Sequence, residues 1–358
     1  MAVLPEGPRP RGPEPAIPLP LSRGVPSHGL MYYKVSRKNA LTGSRSKSRV
    51  KQVGEILAYT VVRALVAVLS LLPQDVRVGI FAGLFRLCFM VIPRLRTTLQ
   101  RNLQLAFPEK DAAWRKEIIR KNATEMGRLL ADTVRLPSLT PEWGASHVEI
   151  PVLEQYRTRL QEDPSRGILI ATGHLGSFEL LGHAIGLRGL PLAAVARRFQ
   201  SRRFDSWWNG LREARGNKII DRRGAFKEVV NTISSGMSAA ILFDQNVTRN
   251  HAVFVDWFGV PAATTRSVAL AALRTGAPIY VASMRYCGDD RYCVDALECD
   301  YSDVYRDEGL SNDAKVHRIT QRLADRYCEM IRNFPEGWFW LHRRWKTRPD
   351  PGDPKMYS

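Results

Sequence analysis

Between residues 151 and 333 the chain alternates short apolar segments, typical of buried strands, with segments of helical periodicity. Such alternation predicts an α/β fold with a central mixed, partly parallel sheet flanked by helices. The predicted strands are 167–171, 191–195, 238–243, 253–257, 278–285 and 291–297. The predicted helices are 151–161, 177–187, 203–215, 223–235, 264–275 and 312–333, preceded by a long amphipathic helix from Asp111 to about Arg135. In sheets of this type, sites form at the carboxyl ends of the strands.

The motif from Thr172 to Glu179, TGHLGSFE, lies between a predicted strand and a predicted helix. Glycines on both sides of His174 permit a sharp turn, and Ser177 suits the N-cap position of the following helix. With such a turn, the Glu179 carboxylate can fold back onto the imidazole. A carboxylate on one ring nitrogen raises the basicity of the other, which can then deprotonate a hydroxyl. The alternative is a histidine that hydrogen-bonds a nearby carbonyl and has no catalytic role.

Further charged residues follow predicted strands. Asp244 ends an apolar strand and would share the sheet edge with His174, although an acid at such a position is commonly a helix or turn cap. Arg197 follows another strand, and Arg215 and Lys218 lie further along the chain. The forked donors of arginine suit phosphate or carboxylate recognition, so the three basic residues are candidates for substrate binding. The alternative is a solvated basic face.

The chain is strongly basic, with 53 Lys and Arg against 35 Asp and Glu and a net charge of +18. This charge favours nucleic acid, anionic membrane, a phosphorylated substrate or an acidic protein as partner, and cannot choose among them. The sequence contains no GxxxxGK[ST] phosphate loop, no GxGxxG after a strand and no HExxH motif. We therefore expect no nucleotide, metal or other cofactor. The five cysteines form no CxxC pair, and their odd number favours a reduced, cytosol-facing body.

Composition divides the chain into regions. Residues 1–30 are rich in proline and have no apolar period, so they bury too little surface to fold. Seven basic residues and no acid follow between Lys34 and Lys51. The predicted regions are a disordered tail (1–52), membrane-anchoring helices (53–106), a catalytic domain (107–349) and a C-terminal tail (350–358).

Two apolar segments, Ile56 to Leu72 and Val78 to Ile92, form the predicted anchor. Each is shorter than the ~20 residues needed to cross a bilayer, and each carries a central arginine, Arg63 or Arg86. With basic residues on both sides, the pattern predicts two helices that lie in or dip into an anionic membrane leaflet. A single span from Ile56 is one alternative, and a pair of buried helices in a soluble protein is another.

Four sequence runs together resemble the lipid A biosynthesis acyltransferases, the lauroyl and myristoyl transferases that complete bacterial lipid A. The first run, HLGSFE at 174–179, resembles the H-x4-D/E signature of the wider glycerolipid acyltransferase superfamily. Two further runs, VFVDWFGVPAATT and PEGWFWLHRRWKTRP, resemble hallmarks of the lipid A branch; they occupy 253–265 and 335–349. RNL at 101–103 with FPE at 107–109 resembles its N-terminal signature.

The resemblance implies roles for individual residues. His174 would be the general base, Glu179 its orienting partner, Arg197 a phosphate or oxyanion ligand, and Asp244 an acidic residue near the site. It also implies acyl carrier protein as donor, a lipid A precursor or related glycolipid as acceptor, and a location on the cytoplasmic face of the bacterial inner membrane, against an anionic membrane surface. Nucleic acid is not an expected partner.

Two alternatives stay open at this point. The acceptor could be another membrane lipid, such as a lysophospholipid or a phosphatidylinositol mannoside. The chain could instead be a nucleic-acid-binding protein that uses its basic surface and its aromatic C-terminal run, although the two apolar segments argue against this.

Overall fold

The computed structural model describes residues 49–357, with side chains from Gln52 onward, and its centre is a seven-stranded sheet. The strand order is β1-β9-β8-β2-β5-β3-β4, and all neighbours are parallel except the antiparallel pair β8 and β9. A separate antiparallel hairpin joins β6 to β7. The strands are β1 (Val148–Glu149), β2 (Leu169–Thr172), β3 (Leu192–Ala196), β4 (Lys218–Asp221), β5 (Ser238–Leu242), β6 (Ala252–Trp257), β7 (Val260–Thr265), β8 (Ile279–Gly288) and β9 (Arg291–Glu298). The predicted α/β fold with a mixed, partly parallel sheet is confirmed, and the sheet is mostly parallel.

Helices cover both faces of this sheet. They are α1 (Arg49–Ser70), α2 (Gln74–Val91), α3 (Pro93–Ala106), α4 (Ala112–Arg135), α5 (Pro141–His147), α6 (Leu153–Glu162), α7 (Phe178–Leu187), α8 (Arg202–Glu213), α9 (Ala225–Ile233), α10 (Ser267–Thr275), α11 (Ser302–Arg306) and α12 (Asn312–Asn333). Residues 1–48, which make up most of the predicted disordered tail, lie outside the described residues. α1 begins at Arg49, within the range predicted for that tail.

The central strand β2 is buried along its whole length, as expected for a parallel strand covered on both faces. Alternate residues face opposite layers: Leu169 and Ala171 join the core that contains α10 and α12, whereas Ile168 and Ile170 join the core beneath α7.

Three strands, β1, β4 and β7, were not predicted from the sequence, and β4 illustrates the reason. It is a four-residue edge strand in which only Ile220 is fully buried, too short for a recognisable pattern.

α1 stands apart from the packed core. Its segment Gln52–Ser70 is long and apolar enough to cross a membrane, and only 6% of the most apolar window is buried. α2 and α3 meet the same test only as one broken pair, bent by 95°.

α2 is partly buried, because one of its faces packs on α4. A Cβ added to Gly127 of α4 would lie 2.6 Å from the backbone nitrogen of Ala82 in α2, so glycine is required for this approach. Arg86 of α2 donates to Thr124 of α4 at 2.9 Å. The opposite face of α2 exposes an apolar stripe that includes Ile80. The residues of this stripe are Val76, Ile80, Leu84, Leu87 and Val91.

α3 belongs to the hydrophobic core, with Leu99 and Leu103 fully buried. Gln52–Ser358 group into one compact unit. The anchoring role of 53–106 and the boundaries of the predicted regions stay predictions.

The β8–β9 hairpin brings two cysteines together. Cys287 and Cys293 form a disulfide with Cα atoms 6.2 Å apart, against the expectation of reduced cysteines. Cys88, Cys299 and Cys328 are free.

Candidate active site

His174 and Asp244 meet because they follow neighbouring parallel strands. β2 and β5 pair with Thr172 opposite Leu242, and each charged residue lies two positions further on, at the carboxyl edge of the sheet. The Nδ1 atom of His174 is 2.9 Å from Oδ1 of Asp244. The backbone N–H of His174 donates to Oδ2 of the same carboxylate at 2.8 Å. One carboxylate thus fixes both the ring and the backbone of the histidine.

The hydrogen bonds of the imidazole define its tautomer. An ionised Asp244 only accepts, so Nδ1 carries the proton and Nε2 keeps its lone pair. The side-chain nitrogen of Gln245 lies 3.2 Å from Nε2, as a donor to that lone pair would. The His174 side chain is 22% exposed. Its Nε2 atom can therefore accept a proton from a substrate hydroxyl that displaces the Gln245 amide.

Asp244 is charged despite its burial. Its side chain is 1% exposed, and besides the two bonds from His174 it accepts one from the indole Nε1 of Trp338 at 2.8 Å. Burial by itself raises the pKa of Asp244, but the attraction of His174 and the hydrogen bonds from His174 and Trp338 outweigh it and lower the pKa to about 2. The carboxylate is thus ionised at neutral pH and can stabilise an imidazolium.

Two glycines let the loop around His174 fit against its neighbours. A Cβ on Gly173 would lie 2.5 Å from Cγ of Asp244 and 2.6 Å from the hydroxyl of Tyr327. Gly176 has a φ of +63°, and a Cβ there would lie 1.8 Å from the carbonyl oxygen of Met284. Both positions therefore exclude a side chain, and their neighbours fix the course of the loop.

The C-terminal segment 336–342 covers this loop. The N–H of Gly176 donates to the carbonyl of Gly337, and the N–H of Phe339 donates to the carbonyl of His174, both at 2.9 Å. Two buried amides hold the segment in place. Asn122 of α4 donates to the carbonyls of Glu336 and Trp338, and Asn102 of α3 donates to those of Trp340 and His342. Asn102, in the run that resembles the family's N-terminal signature, thus supports the segment that covers the active-site loop.

Glu179 is not the carboxylate that contacts His174. It lies in the first turn of α7 and accepts two hydrogen bonds from Arg212 of α8, at 2.5 Å from Nη2 and 2.9 Å from Nε. The two side chains are 10% and 20% exposed. The predicted fold-back of Glu179 onto the imidazole is thus corrected: once α7 starts at Phe178, the carboxylate points to α8, and Asp244 takes the place beside the ring.

Arg197 lies at the same sheet edge as His174. It directly follows β3, which β5 separates from β2. Beside it is an open cavity of about 520 Å³. The cavity is lined by Ala196, Arg197, Arg198, Arg202, Asp205, Ser206, Asn209, Glu213, Ile219 and Asp221. Arg198 is held by Asp221, with Nε 2.7 Å from Oδ2. Arg197 is exposed and has no side-chain hydrogen bond or ion pair within the described residues, so its guanidinium can receive an anionic group.

Arg215 and Lys218, predicted to bind substrate, lie at the opposite edge of the sheet from His174. Lys218 is the first residue of β4 and pairs in register with Ala193, near the start of β3. Its Nζ is 2.9 Å from a carboxylate oxygen of Glu228. The Arg215 guanidinium donates to the carbonyl of Leu139. Both cations therefore have protein partners away from the catalytic edge.

Among the described residues, no group of three or more His, Cys, Asp and Glu side chains could hold a metal ion.

A family model described as bacterial lipid A biosynthesis acyltransferase matches residues 45–347 of the chain. The chain belongs to this family.

This acyltransferase is similar to several individual acyltransferases. The chain is 27% identical over 288 residues to the lipid A biosynthesis lauroyltransferase of Escherichia coli, and this match covers 80% of the chain and 90% of the relative. It is 25% identical over 275 residues to the palmitoleoyltransferase of lipid A biosynthesis from the same organism, covering 74% and 83%. A phosphatidylinositol mannoside acyltransferase of Mycolicibacterium smegmatis is 24% identical over 251 residues, covering 69% and 78%.

Sequence reasoning placed His174 and Asp244 of this lipid A biosynthesis acyltransferase at one sheet edge and named Arg197, which follows a strand, as a candidate ligand. It did not assign roles to Trp338 and Arg212. Trp338 lies in the aromatic C-terminal run that resembled the family, which is a usable signal. Arg212 lies 33 residues beyond Glu179 in an ordinary amphipathic helix, and nothing in that pattern singles it out.

Proposed function

We propose that this acyltransferase moves a fatty acyl chain from acyl carrier protein to a hydroxyl of a lipid A precursor, at the cytoplasmic face of the bacterial inner membrane. The observation that supports the chemistry best is the His174–Asp244 pair, with Nδ1 bound to a buried carboxylate and a histidine side chain that is 22% exposed. His174 is the general base in this proposal. Asp244, rather than Glu179, is the residue that orients it.

The reaction needs one proton transfer in each direction. Nε2 of His174 removes the proton of the acceptor hydroxyl as its oxygen attacks the thioester carbon of the donor. Asp244 stabilises the imidazolium that results, because its charge lies 2.9 Å from Nδ1. When the tetrahedral intermediate collapses, the C–S bond breaks and the imidazolium protonates the leaving thiolate. The products are an ester and a thiol, with no acyl-enzyme intermediate and no metal or cofactor.

The cavity beside Arg197 suits a phosphate of the acceptor. Its lining combines the unpaired guanidinium of Arg197 with Arg198 and Arg202, and arginine binds phosphate through paired donors. The cavity lies at the same sheet edge as His174, with only β5 between their two strands. A phosphorylated glycolipid can thus bind with its charged group at Arg197 and a hydroxyl near His174. This role for Arg197 rests on charge and position.

The N-terminal helices provide the membrane contact in this proposal. The 19 residues Gln52–Ser70 make a helix of roughly 28 Å, close to the ~30 Å hydrocarbon core. Its central charge, Arg63, is exposed and has two aromatic neighbours. A guanidinium nitrogen lies 3.0 Å from the hydroxyl of Tyr59, and the guanidinium carbon lies 5.1 Å from the ring centroid of Trp207. The outward apolar stripe of α2 then lies in the interface. The net positive charge favours both an anionic membrane surface and an acidic acyl carrier protein.

A second acceptor has support of its own. The mycobacterial relative is named for acylation of a phosphatidylinositol mannoside, and such a lipid also combines a phosphate with sugar hydroxyls. The His174–Asp244 chemistry is the same for both acceptors.

A single assay separates these possibilities. The full-length enzyme in detergent micelles would be given lauroyl, myristoyl or palmitoleoyl groups on acyl carrier protein or on coenzyme A. The acceptors would be a bisphosphorylated glucosamine lipid with free 3-hydroxyacyl chains, a phosphatidylinositol mannoside and a lysophospholipid, with EDTA present and absent. We expect transfer from acyl carrier protein to the glucosamine lipid, unaffected by EDTA and abolished in His174→Ala. Transfer to another acceptor alone would overturn the lipid A assignment, and wild-type turnover in His174→Ala would overturn the assigned base.

A further inference from the structure

A fully buried carboxylate, Asp132 of α4, lies behind the loop that carries His174. One of its oxygens, Oδ2, accepts a hydrogen bond from the hydroxyl of Ser177. The other, Oδ1, accepts from the hydroxyl of Tyr292 at 2.6 Å and from the side-chain amide of Gln74 at 2.8 Å. Arg135 lies 3.5 Å from Oδ1. The carboxylate has no exposure to solvent, so it does not touch the substrate.

Ser177 is the point where the catalytic loop becomes α7. Its backbone N–H donates to the carbonyl of Met284 at 3.1 Å, and its side chain is almost fully buried. It is the N-cap residue of α7, yet its hydroxyl makes no cap hydrogen bond. The hydroxyl binds Asp132 instead. The side chain at the usual capping position is thus used to attach the loop to α4, three residues after His174.

The same carboxylate joins the loop to α2. Gln74 is the first residue of α2, and its amide oxygen accepts from Arg77 at 2.6 Å. A chain of hydrogen bonds therefore runs from the half-buried Gln74 at the start of α2, through the buried Asp132, to Ser177. Such a network holds its parts in one arrangement.

We propose that Asp132 is a positioning residue for the reaction: through Ser177 it fixes the end of the loop that presents His174, while the contact of Asp244 fixes its start. The inference rests on the proposed role of His174 as base. Without the Asp132–Ser177 bond, the loop keeps its backbone contacts to Met284 and Gly337 but loses the side-chain anchor at its end. The imidazole then spends less time in the reactive geometry, although the substrate sites are untouched.

The test compares the full-length wild-type enzyme with its Ser177→Ala variant, in which only the hydroxyl of Ser177 is removed. We expect kcat to fall by about 10- to 100-fold, since a small displacement of a catalytic group has this effect. The KM values for donor and acceptor should stay within twofold of wild type. Ser177→Thr, which keeps a hydroxyl, should recover most of kcat. A lowered melting temperature of Ser177→Thr would show that threonine does not fit at this position. In that case Asp132→Asn is the second variant, and it should reduce kcat with unchanged KM.

Ser238→Ala is the matched control. Ser238 is also a buried serine, and its Oγ accepts a hydrogen bond from the N–H of Ile168 at 3.1 Å, at the amino end of β2. This variant should match the melting temperature of Ser177→Ala and keep wild-type kcat. A Ser177→Ala kcat within twofold of wild type, or equal losses of kcat in the two alanine variants, would overturn the inference. Those results would leave the His174 proposal intact, because that proposal is decided separately by His174→Ala.

Discussion

Glu179 and Arg212 join α7 to α8 by two hydrogen bonds between one carboxylate and one guanidinium. The pair lies next to the catalytic loop, because α7 starts directly after Ser177. α8 also lines the cavity that contains Arg197. The acidic residue of the H-x4-E motif therefore links the helix that follows the base to the helix that borders the arginine cavity.

The Glu179–Arg212 pair should behave as one unit. Glu179→Gln or Arg212→Gln alone leaves a mostly buried charge without its partner, and we expect each to lower the free energy of unfolding by about 3 kcal/mol. The double variant should recover part of this loss. A double-mutant cycle of thermal unfolding and of turnover measures the coupling. Additive effects of the two substitutions would show that the residues act independently.

Asp244→Asn should reduce kcat by about 10²-fold or more, because an amide cannot stabilise the imidazolium and can present its NH2 group to Nδ1. Turnover of purified variants under saturating donor and acceptor checks this. Gln245→Ala serves for comparison, since it removes only the group that the acceptor hydroxyl displaces. Full activity in Asp244→Asn would mean that another residue orients His174.

The same substitution should change stability in acid. Folding lowers the pKa of Asp244 from 3.8 to about 2, so the native state binds this proton more weakly than the unfolded chain does. The contribution to stability, roughly 2 kcal/mol, is complete above about pH 4 and disappears as the pH falls through about 2. Unfolding of wild type and Asp244→Asn in detergent between pH 2 and 6 should show this component only in wild type. Parallel curves for the two proteins would contradict the low pKa.

Gly173→Ala should inactivate the enzyme, because the new methyl group would displace Asp244 or Tyr327. Gly182→Ala is the matched control: it lies in α7 with no heavy atom within 4 Å of the added Cβ. That change should leave turnover intact and stabilise the helix by about 0.5–1 kcal/mol. Steady-state kinetics and melting temperatures of both variants test the pair. An active Gly173→Ala would show that the loop tolerates a shift of Asp244.

Arg197→Gln should raise the KM for a phosphorylated acceptor by about tenfold, the equivalent of one lost charge-assisted contact of about 1.4 kcal/mol. The KM for the acyl donor should not change. Arg203→Gln offers a control with the same change in charge, since Arg203 is exposed on α8 and does not line the cavity. An equal effect of both substitutions would point to general electrostatic attraction rather than a phosphate site.

The partners of particular residues show how far the sequence could lead. β2 and β5 were predictable because each is a short run of apolar residues ended by a polar one. The contact between His174 and Asp244 additionally requires that β5, and not β3, lies beside β2, and no local pattern in the sequence specifies this order. Glu179 was assigned to His174 because a turn between them would let the carboxylate fold back, whereas its observed partner, Arg212, lies 33 residues away on another helix. Arg215 was assigned to the site by charge, although it comes before β4 and so lies at the wrong edge.

The close contact between Gly127 of α4 and Ala82 of α2 limits how far the N-terminus of the enzyme can be shortened. Shortening the chain to begin near Pro73 would remove α1, whose most apolar window is only 6% buried, and would keep the α2–α4 contact. A chain that begins at Phe107 would lack Leu99, Leu103 and Asn102, which lie beneath the C-terminal segment, and its hydrophobic core would be exposed to water. In this enzyme α2 packs on α4 with one face and exposes an apolar stripe with the other. A shortened enzyme meant for use without detergent would therefore still need α2 and would still expose that stripe.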